Sequence, residues 1–260
     1  MPSRKNILKQ KLLERRSSIG IFHSLASPLA AELLGHSGFD WVVIDGEHTT
    51  NDVVTVRDQL VALDAAGIPG VVRIVAGETH VIKQFLDAGA QTLLVPMVDS
   101  AEFARDLVRA MRYPPDGNRG VASGTRAGRF GLASDYLATA NAEVSLITQV
   151  ESRRAIDNLD ELLGVEGVDC LFIGPSDLSA DMGHIGNPSH PEVQRAIKDS
   201  LGRIRGAGKS AGIYVGNPEQ AKTYVDWGAN FVAAGTDLGV LAKAVSGVAG
   251  EFRAVIADQP

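Results

Sequence analysis

The stretch Phe39-Asp40-Trp41-Val42-Val43-Ile44-Asp45-Gly46-Glu47-His48 decides how the chain reads. Aromatic and β-branched residues run from Trp41 to Ile44 and then stop, releasing Asp45, Glu47 and His48 within four positions. A parallel strand buried on both faces has this unbroken apolar character, and its polar exit delivers side chains to the mouth of a pocket. Gly46 allows a sharp turn, and Thr49, Thr50 and Asn51 offer caps for a following helix. Taken alone, such a turn reads more readily as a solvated strand end.

Working outward, the same unit recurs. Residues 18–23, 41–44, 70–73, 92–96, 144–150, 168–173, 210–215 and 231–234 read as strands. Helical patterns follow them: a Ser27-Pro28 capped helix, then 53–66 closed by Gly67, 78–87 ending at Gly89, 101–111, 155–163, 192–204, 218–227 closed by Gly228, and a closing helix from 238. A short amphipathic helix over 8–14 leads in. Eight strands, each followed by a helix with no linker between them, predict a single-domain (β/α)8 TIM barrel over residues 1–260. An open doubly wound sheet is the alternative, but no Gly-x-Gly-x-x-Gly turn follows the first strand. The Gly- and Pro-rich segment 113–141, with Arg119, Arg126 and Arg129, breaks the rhythm and reads as a loop on the pocket rim.

Bulk properties narrow the function. The 260 residues suit one barrel, and 45% hydrophobic with 22% charged residues is ordinary for a globular protein. A net charge of −6 lacks the basic footprint of a nucleic-acid binder. One cysteine, Cys170, excludes a disulfide framework or a Cys metal site, and its apolar run marks a buried, inert thiol. Residues 1–16 are basic and polar without the apolar segment of a signal peptide, and no apolar run approaches the ~20 residues of a membrane span. The expectation is a soluble cytoplasmic protein without membrane or nucleic-acid partners.

In a TIM barrel the active site lies at the C-terminal ends of the strands. Those ends supply Phe22 and His23, then Asp45, Glu47 and His48, Arg73, Pro96, Gln149 and Glu151, Gly174-Pro175-Ser176-Asp177, Tyr214, and Gly235 with Asp237. Glu151 and Asp177 leave adjacent strands, and two carboxylates without a Cys suit a hard divalent ion such as Mg²⁺ or Mn²⁺; as isolated residues they read as helix and turn caps. Arg73 offers a planar fork for an oxyanion. His48 suits a base near neutral pH if Asp45 or Asp87 orients its ring, and is otherwise a surface residue. No lysine falls at a strand's C-terminal end, which argues against imine chemistry and for a metal electrophile.

These residues carry a resemblance. Gly38 through His48, Val72-Arg73, Gln91 through Met97, Arg112-Tyr113-Pro114-Pro115, Arg119-Gly120, Gln149-Val150-Glu151 and Phe172 through Ser179 resemble, in order, the metal-dependent class II pyruvate aldolases of the HpcH/HpaI group. The resemblance implies reversible cleavage of a 4-hydroxy-2-oxo acid to pyruvate and an aldehyde through a metal-stabilised enolate. It implies Glu151 and Asp177 as ligands of Mg²⁺ or Mn²⁺, with Co²⁺ a further candidate. It implies His48 as the base, oriented by Asp87, and Arg73 at the keto oxygen, with Asp45 in support. Gln149, Gly174 and the backbone at Ser176 would seat the carboxylate. It further implies a homohexamer whose last helix packs on a neighbouring subunit, with Asp87 acting within or across subunits. Phe22 stands where the family often has Trp, which leaves the aldehyde pocket open. An oxaloacetate-type 2-oxo acid decarboxylase on the same site is the alternative.

Overall fold

The run at Trp41 forms β2 (Trp41–Asp45), in which all five residues are buried. Side chains alternate across a strand, so Trp41, Val43 and Asp45 share one side and Val42 and Ile44 the other. Trp41 and Val43 pack inside a closed barrel, while Val42 and Ile44 pack outward in the layer shared with the helices. The barrel pairs β1 (Ser18–His23), β2, β3 (Gly70–Arg73), β4 (Thr92–Val95), β5 (Ser145–Val150), β6 (Val168–Ile173), β7 (Ser210–Val215) and β8 (Phe231–Thr236) in chain order, all parallel, with β8 returning to β1. The computed structural model describes residues 1–257.

The barrel interior holds Phe22, Trp41, Val43, Val71, Leu94, Ile147, Cys170, Phe172, Phe231 and Ala233. Trp41 stacks on Phe231 with ring centroids 3.8 Å apart, and its Nε1 donates to Ser18 Oγ at 3.1 Å. Glycine is required opposite the indole: a Cβ on Gly20 would lie 2.1 Å from Trp41 Cε3. The lead-in helix α1 (Ile7–Leu13) inserts Leu8 and Leu12 into this interior and plugs the N-terminal end. Cys170 is fully buried, and desolvation pushes its thiol well up, as an inert core residue requires.

The outer layer consists of α2 (Pro28–Gly35), α3 (Val53–Ala66), α4 (Thr79–Asp87), α5 (Ala101–Met111), α6 (Tyr136–Glu143), α7 (Arg153–Asp157), α8 (Leu159–Leu163), α9 (Pro175–Asp181), α10 (Pro191–Gly206) and α11 (Pro218–Trp227). Three expectations change. The helix expected over 155–163 is split at Asn158, whose Nδ2 donates to Asp99 O at 2.7 Å. The loop expected over 113–141 ends in α6, and Pro175 starts α9 where a turn was expected. The closing helix α12 (Asp237–Ala257) runs for 21 residues, and of these only Asp237 is buried. Val240, Val245, Val248, Phe252 and Val255 along it stand exposed. None of the helices among the described residues is long and apolar enough to cross a membrane.

Candidate active site

The alternation that fills the barrel also builds its mouth. Asp45, Arg73, Gln149 and Tyr214 continue the inward-facing rows begun by Val43, Val71, Ile147 and Gly212, and Glu151 extends the β5 row by one step. The first four line a cleft of about 570 Å³, together with Phe22, His48, Phe172, Gly174, Ser176 and Asp177, and Glu151 is buried behind Gln149 and Gly174. His23 and Asp237 leave this set: His23 faces outward, fully buried, with Nδ1 against Asp237 Oδ2 and Nε2 3.0 Å from Ser27 O. Asp237 also accepts from the Ser24 N–H at 2.7 Å, so the pair fastens the start of α12 to β1.

Asp45 organises one half of the mouth. Its Oδ1 accepts from Arg73 Nε at 2.9 Å and from the N–H groups of Glu47 (3.0 Å) and His48 (3.3 Å), while Oδ2 accepts from Arg73 Nη2 at 2.8 Å. Burial pushes the Asp45 carboxyl up, but the guanidinium fork and the backbone donors outweigh it and hold it below the usual carboxylate range. Thr49 and Asn51, expected as helix caps, fold back onto Asp45 O, the latter at 2.8 Å, and Asp52 caps α3 instead. Arg73 sits 4.9 Å over the Phe22 ring. Its Nη1 lies 3.0 Å from Glu47 Oε2 but is misaligned, so that oxygen has no hydrogen-bond donor. Burial, opposed by Arg73, raises Glu47 above the usual range.

Glu151 lies beneath the other half, 2% exposed. Its Oε1 accepts from the Met97 N–H at 2.7 Å and its Oε2 from Gln149 Nε2, both neutral donors. No lysine, arginine or histidine pairs with it among the described residues. Burial pushes its carboxyl up to about 7, and the charges of Asp177 and Glu47 add to that against the two hydrogen bonds. Gly174 is fitted to this carboxylate, because a Cβ there would come 2.5 Å from Glu151 Oε2. Met97 escaped the sequence reading: it adopts φ 53, rare for a residue with a side chain, and so aims its N–H at Glu151. A run ending Val95-Pro96-Met97 marks a strand end, but nothing in it announces a positive φ.

The remaining residues divide. His48 lines the cleft with a largely exposed ring whose Nε2 is 3.8 Å from Glu47 Oε2, and no carboxylate among the described residues hydrogen-bonds to it. Ser176 and Asp177 occupy the exposed first turn of α9, where backbone N–H groups have no intrahelical acceptor. Asp87 lies at the C-terminal end of α4, which returns to the N-terminal end of the barrel, and pairs there with Arg119 Nη2 at 2.6 Å. It therefore does not meet His48 inside one chain. The loop arginines, expected on the rim, lie at that same far end. Arg126 donates to Ala88 O at 3.0 Å and pairs with Asp64, and Arg129 lines a second cleft beside Arg4.

Comparison with known proteins places this geometry. The chain is 52% identical over 244 residues to a hydroxypyruvate/pyruvate aldolase of Roseovarius nubinhibens, covering 94% of this chain and 95% of that protein. It is 50% identical over 250 residues to a 4-hydroxy-2-oxo-heptane-1,7-dioate aldolase of Escherichia coli, covering 96% and 95%. A crystal structure of a family protein from Burkholderia cenocepacia superimposes with a TM-score of 0.92 at 42% identity, covering 96% of this chain and all of that one. With the family model for HpcH/HpaI aldolase/citrate lyase matching residues 18–244, the chain belongs to that family.

Proposed function

We propose that this protein is a divalent-metal-dependent aldolase that reversibly cleaves a 4-hydroxy-2-oxo acid into pyruvate and an aldehyde. The observation that carries the reading is Glu151, a buried carboxylate without a cationic partner among the described residues, under the same mouth as the Asp45–Arg73 pair. Glu151, the Asp177 carboxylate on the cleft wall and the undonated Glu47 oxygen leave negative charge that Arg73 alone does not neutralise. That donor set is all oxygen and fits a hard cation, Mg²⁺ or Mn²⁺, held by Glu151 and Asp177. When bound, such an ion supplies Lewis-acid polarisation of the 2-oxo acid's oxygens.

The chain's own residues do the rest. His48, at the rim and without a hydrogen-bond partner for its ring among the described residues, takes the proton of the C4 hydroxyl. The C3–C4 bond then breaks, its electron pair moves toward the C2 oxygen, and the C4 carbonyl departs as the aldehyde. Arg73, held rigid by Asp45, faces the charge growing on that oxygen. Gln149, Gly174 and the first-turn N–H of Ser176 surround the carboxylate end, and Phe22 flanks the aldehyde end. Proton return to C3 yields pyruvate. The whole chain acts as one barrel domain in the cytoplasm. It assembles as a homohexamer in which α12 finds cover for its exposed apolar face and Asp87 serves the His48 of an adjacent subunit.

The test is pyruvate release from 4-hydroxy-2-oxo acids by purified chain, with and without chelator. Glu151→Gln is expected to lower metal-dependent kcat/KM by about 100-fold or more. Undiminished activity in that variant would overturn the reading.

A further inference from the structure

We propose a second metal site, for a borderline transition ion of the Zn²⁺ class, formed by His184 and His190 in the segment that joins α9 to α10 and by Glu192 in the first turn of α10. One ligand atom from each of these residues lies within 4.8 Å of the other two. His184 Nε2 is 3.1 Å from Glu192 Oε2, and ligands of a tetrahedral zinc ion stand about 3.3 Å apart given Zn–N and Zn–O bonds near 2.0 Å. The His184 and His190 rings lie face to face, centroids 3.5 Å apart at 19°. His190 Nδ1 accepts the Glu192 N–H at 3.3 Å and caps α10, which holds the His190 ring beside the Glu192 side chain.

The backbone holds the three together before any ion arrives. Gly183 (φ 82) and Gly186 (φ 75) take left-handed conformations that fold the segment back on itself. The His184 N–H donates to Ser179 O at 2.7 Å, the Asn187 N–H to His184 O at 2.9 Å and the His190 N–H to Asn187 O at 3.0 Å. Arg153 Nη2 reaches the other Glu192 oxygen, Oε1, at 3.4 Å and Met182 O at 2.9 Å, which orients the carboxylate and leaves Oε2 for the ion. Two imidazoles with one carboxylate select Zn²⁺, Co²⁺ or Ni²⁺ over the hard ions suited to Glu151 and Asp177, and leave a fourth position for water. The segment continues from α9, the helix that carries Asp177, so the ion fastens the far end of that helix to α10.

The experiment uses the untagged full chain, stripped with chelator and titrated with Co²⁺, with the visible ligand-field band as the readout. Glu151→Gln with Asp177→Asn removes the oxygen ligands at the mouth. This double variant is expected to keep one saturable equivalent of Co²⁺ with a visible band displaced by Zn²⁺, and its Tm is expected to rise with Zn²⁺. Adding His184→Ala should abolish both signals. Adding Glu192→Gln, a milder change at a partly exposed side chain, should weaken the binding by about tenfold or more. The proposal is overturned if the double variant shows no visible band, or if Glu192→Gln leaves the titration unchanged.

Discussion

Arg73 and Asp45 meet side-on across adjacent strands, with Nε 2.9 Å from Oδ1 and Nη2 2.8 Å from Oδ2. β2 and β3 place the two residues in register, so the fork is set by sheet pairing as well as by charge. The same Asp45 oxygen takes the N–H of Glu47 and of His48, which ties the turn carrying His48 to the guanidinium.

Arg73→Lys keeps the charge but loses the planar fork. Asp45 then holds one donor fewer, and the group facing the substrate moves. We expect kcat to fall by about 100-fold or more with KM less affected, measured by pyruvate release under saturating metal.

His48→Ala should leave stability unchanged, because the ring is largely exposed and its side chain has no hydrogen-bond partner among the described residues. Retro-aldol turnover should collapse, while metal-dependent oxaloacetate decarboxylation, which needs no base at a hydroxyl, should survive. Equal loss of both activities would remove His48 from its role as base.

Glu151 sets a pH dependence with a definite sign. Burial raises its carboxyl from 4.5 to about 7 in the folded chain. The native state therefore binds the proton more tightly than the unfolded state between these values. Stability of the chelated protein should fall as pH rises through that window, by on the order of 3 kcal/mol in all. Denaturant titrations of the wild type and Glu151→Gln should differ in slope against pH only between about 4.5 and about 7, because below that window both states are protonated and above it both are ionised. Metal affinity should run the opposite way, weakening below about pH 7 as protons compete for the ligand.

Gly174→Ala puts a Cβ 2.5 Å from Glu151 Oε2 and 3.0 Å from Glu151 Cβ. The carboxylate must move, so metal affinity by calorimetry should drop about tenfold or more while the barrel still folds.

Asp87 and His48 lie at opposite ends of one barrel, so their proposed partnership requires two chains. Mixed assemblies of His48→Ala and Asp87→Ala chains should regain activity in about a quarter of their sites, where both wild-type residues meet. Mixtures as inactive as the separate variants would exclude action across the interface.

The barrel was legible in the sequence because its strands are covered on both faces. Burial forces unbroken runs such as 41–44 and 170–173, and β1, β3, β6 and β7 have the bounds read from the sequence. Local chemistry also named the residues of the mouth, since a polar group straight after such a run has only the strand end to occupy. What the sequence left open depends on alternation and distance. Both His23 and Phe22 end β1, and only the closed barrel decides that Phe22 faces the cleft while His23 turns out to Asp237. The left-handed Met97 follows from the path the chain must take to reach Glu151, a constraint with no local signal. Arg126 and Arg129 read as rim residues and Asp87 as an orienter of His48 within or across subunits, and tertiary structure puts all three at the far end because each helix runs back along the barrel. Residue type and periodicity determined the scaffold and the chemistry available at its strand ends. Which of those side chains share a site was decided by strand parity and helix direction, which exist only once the sheet has closed.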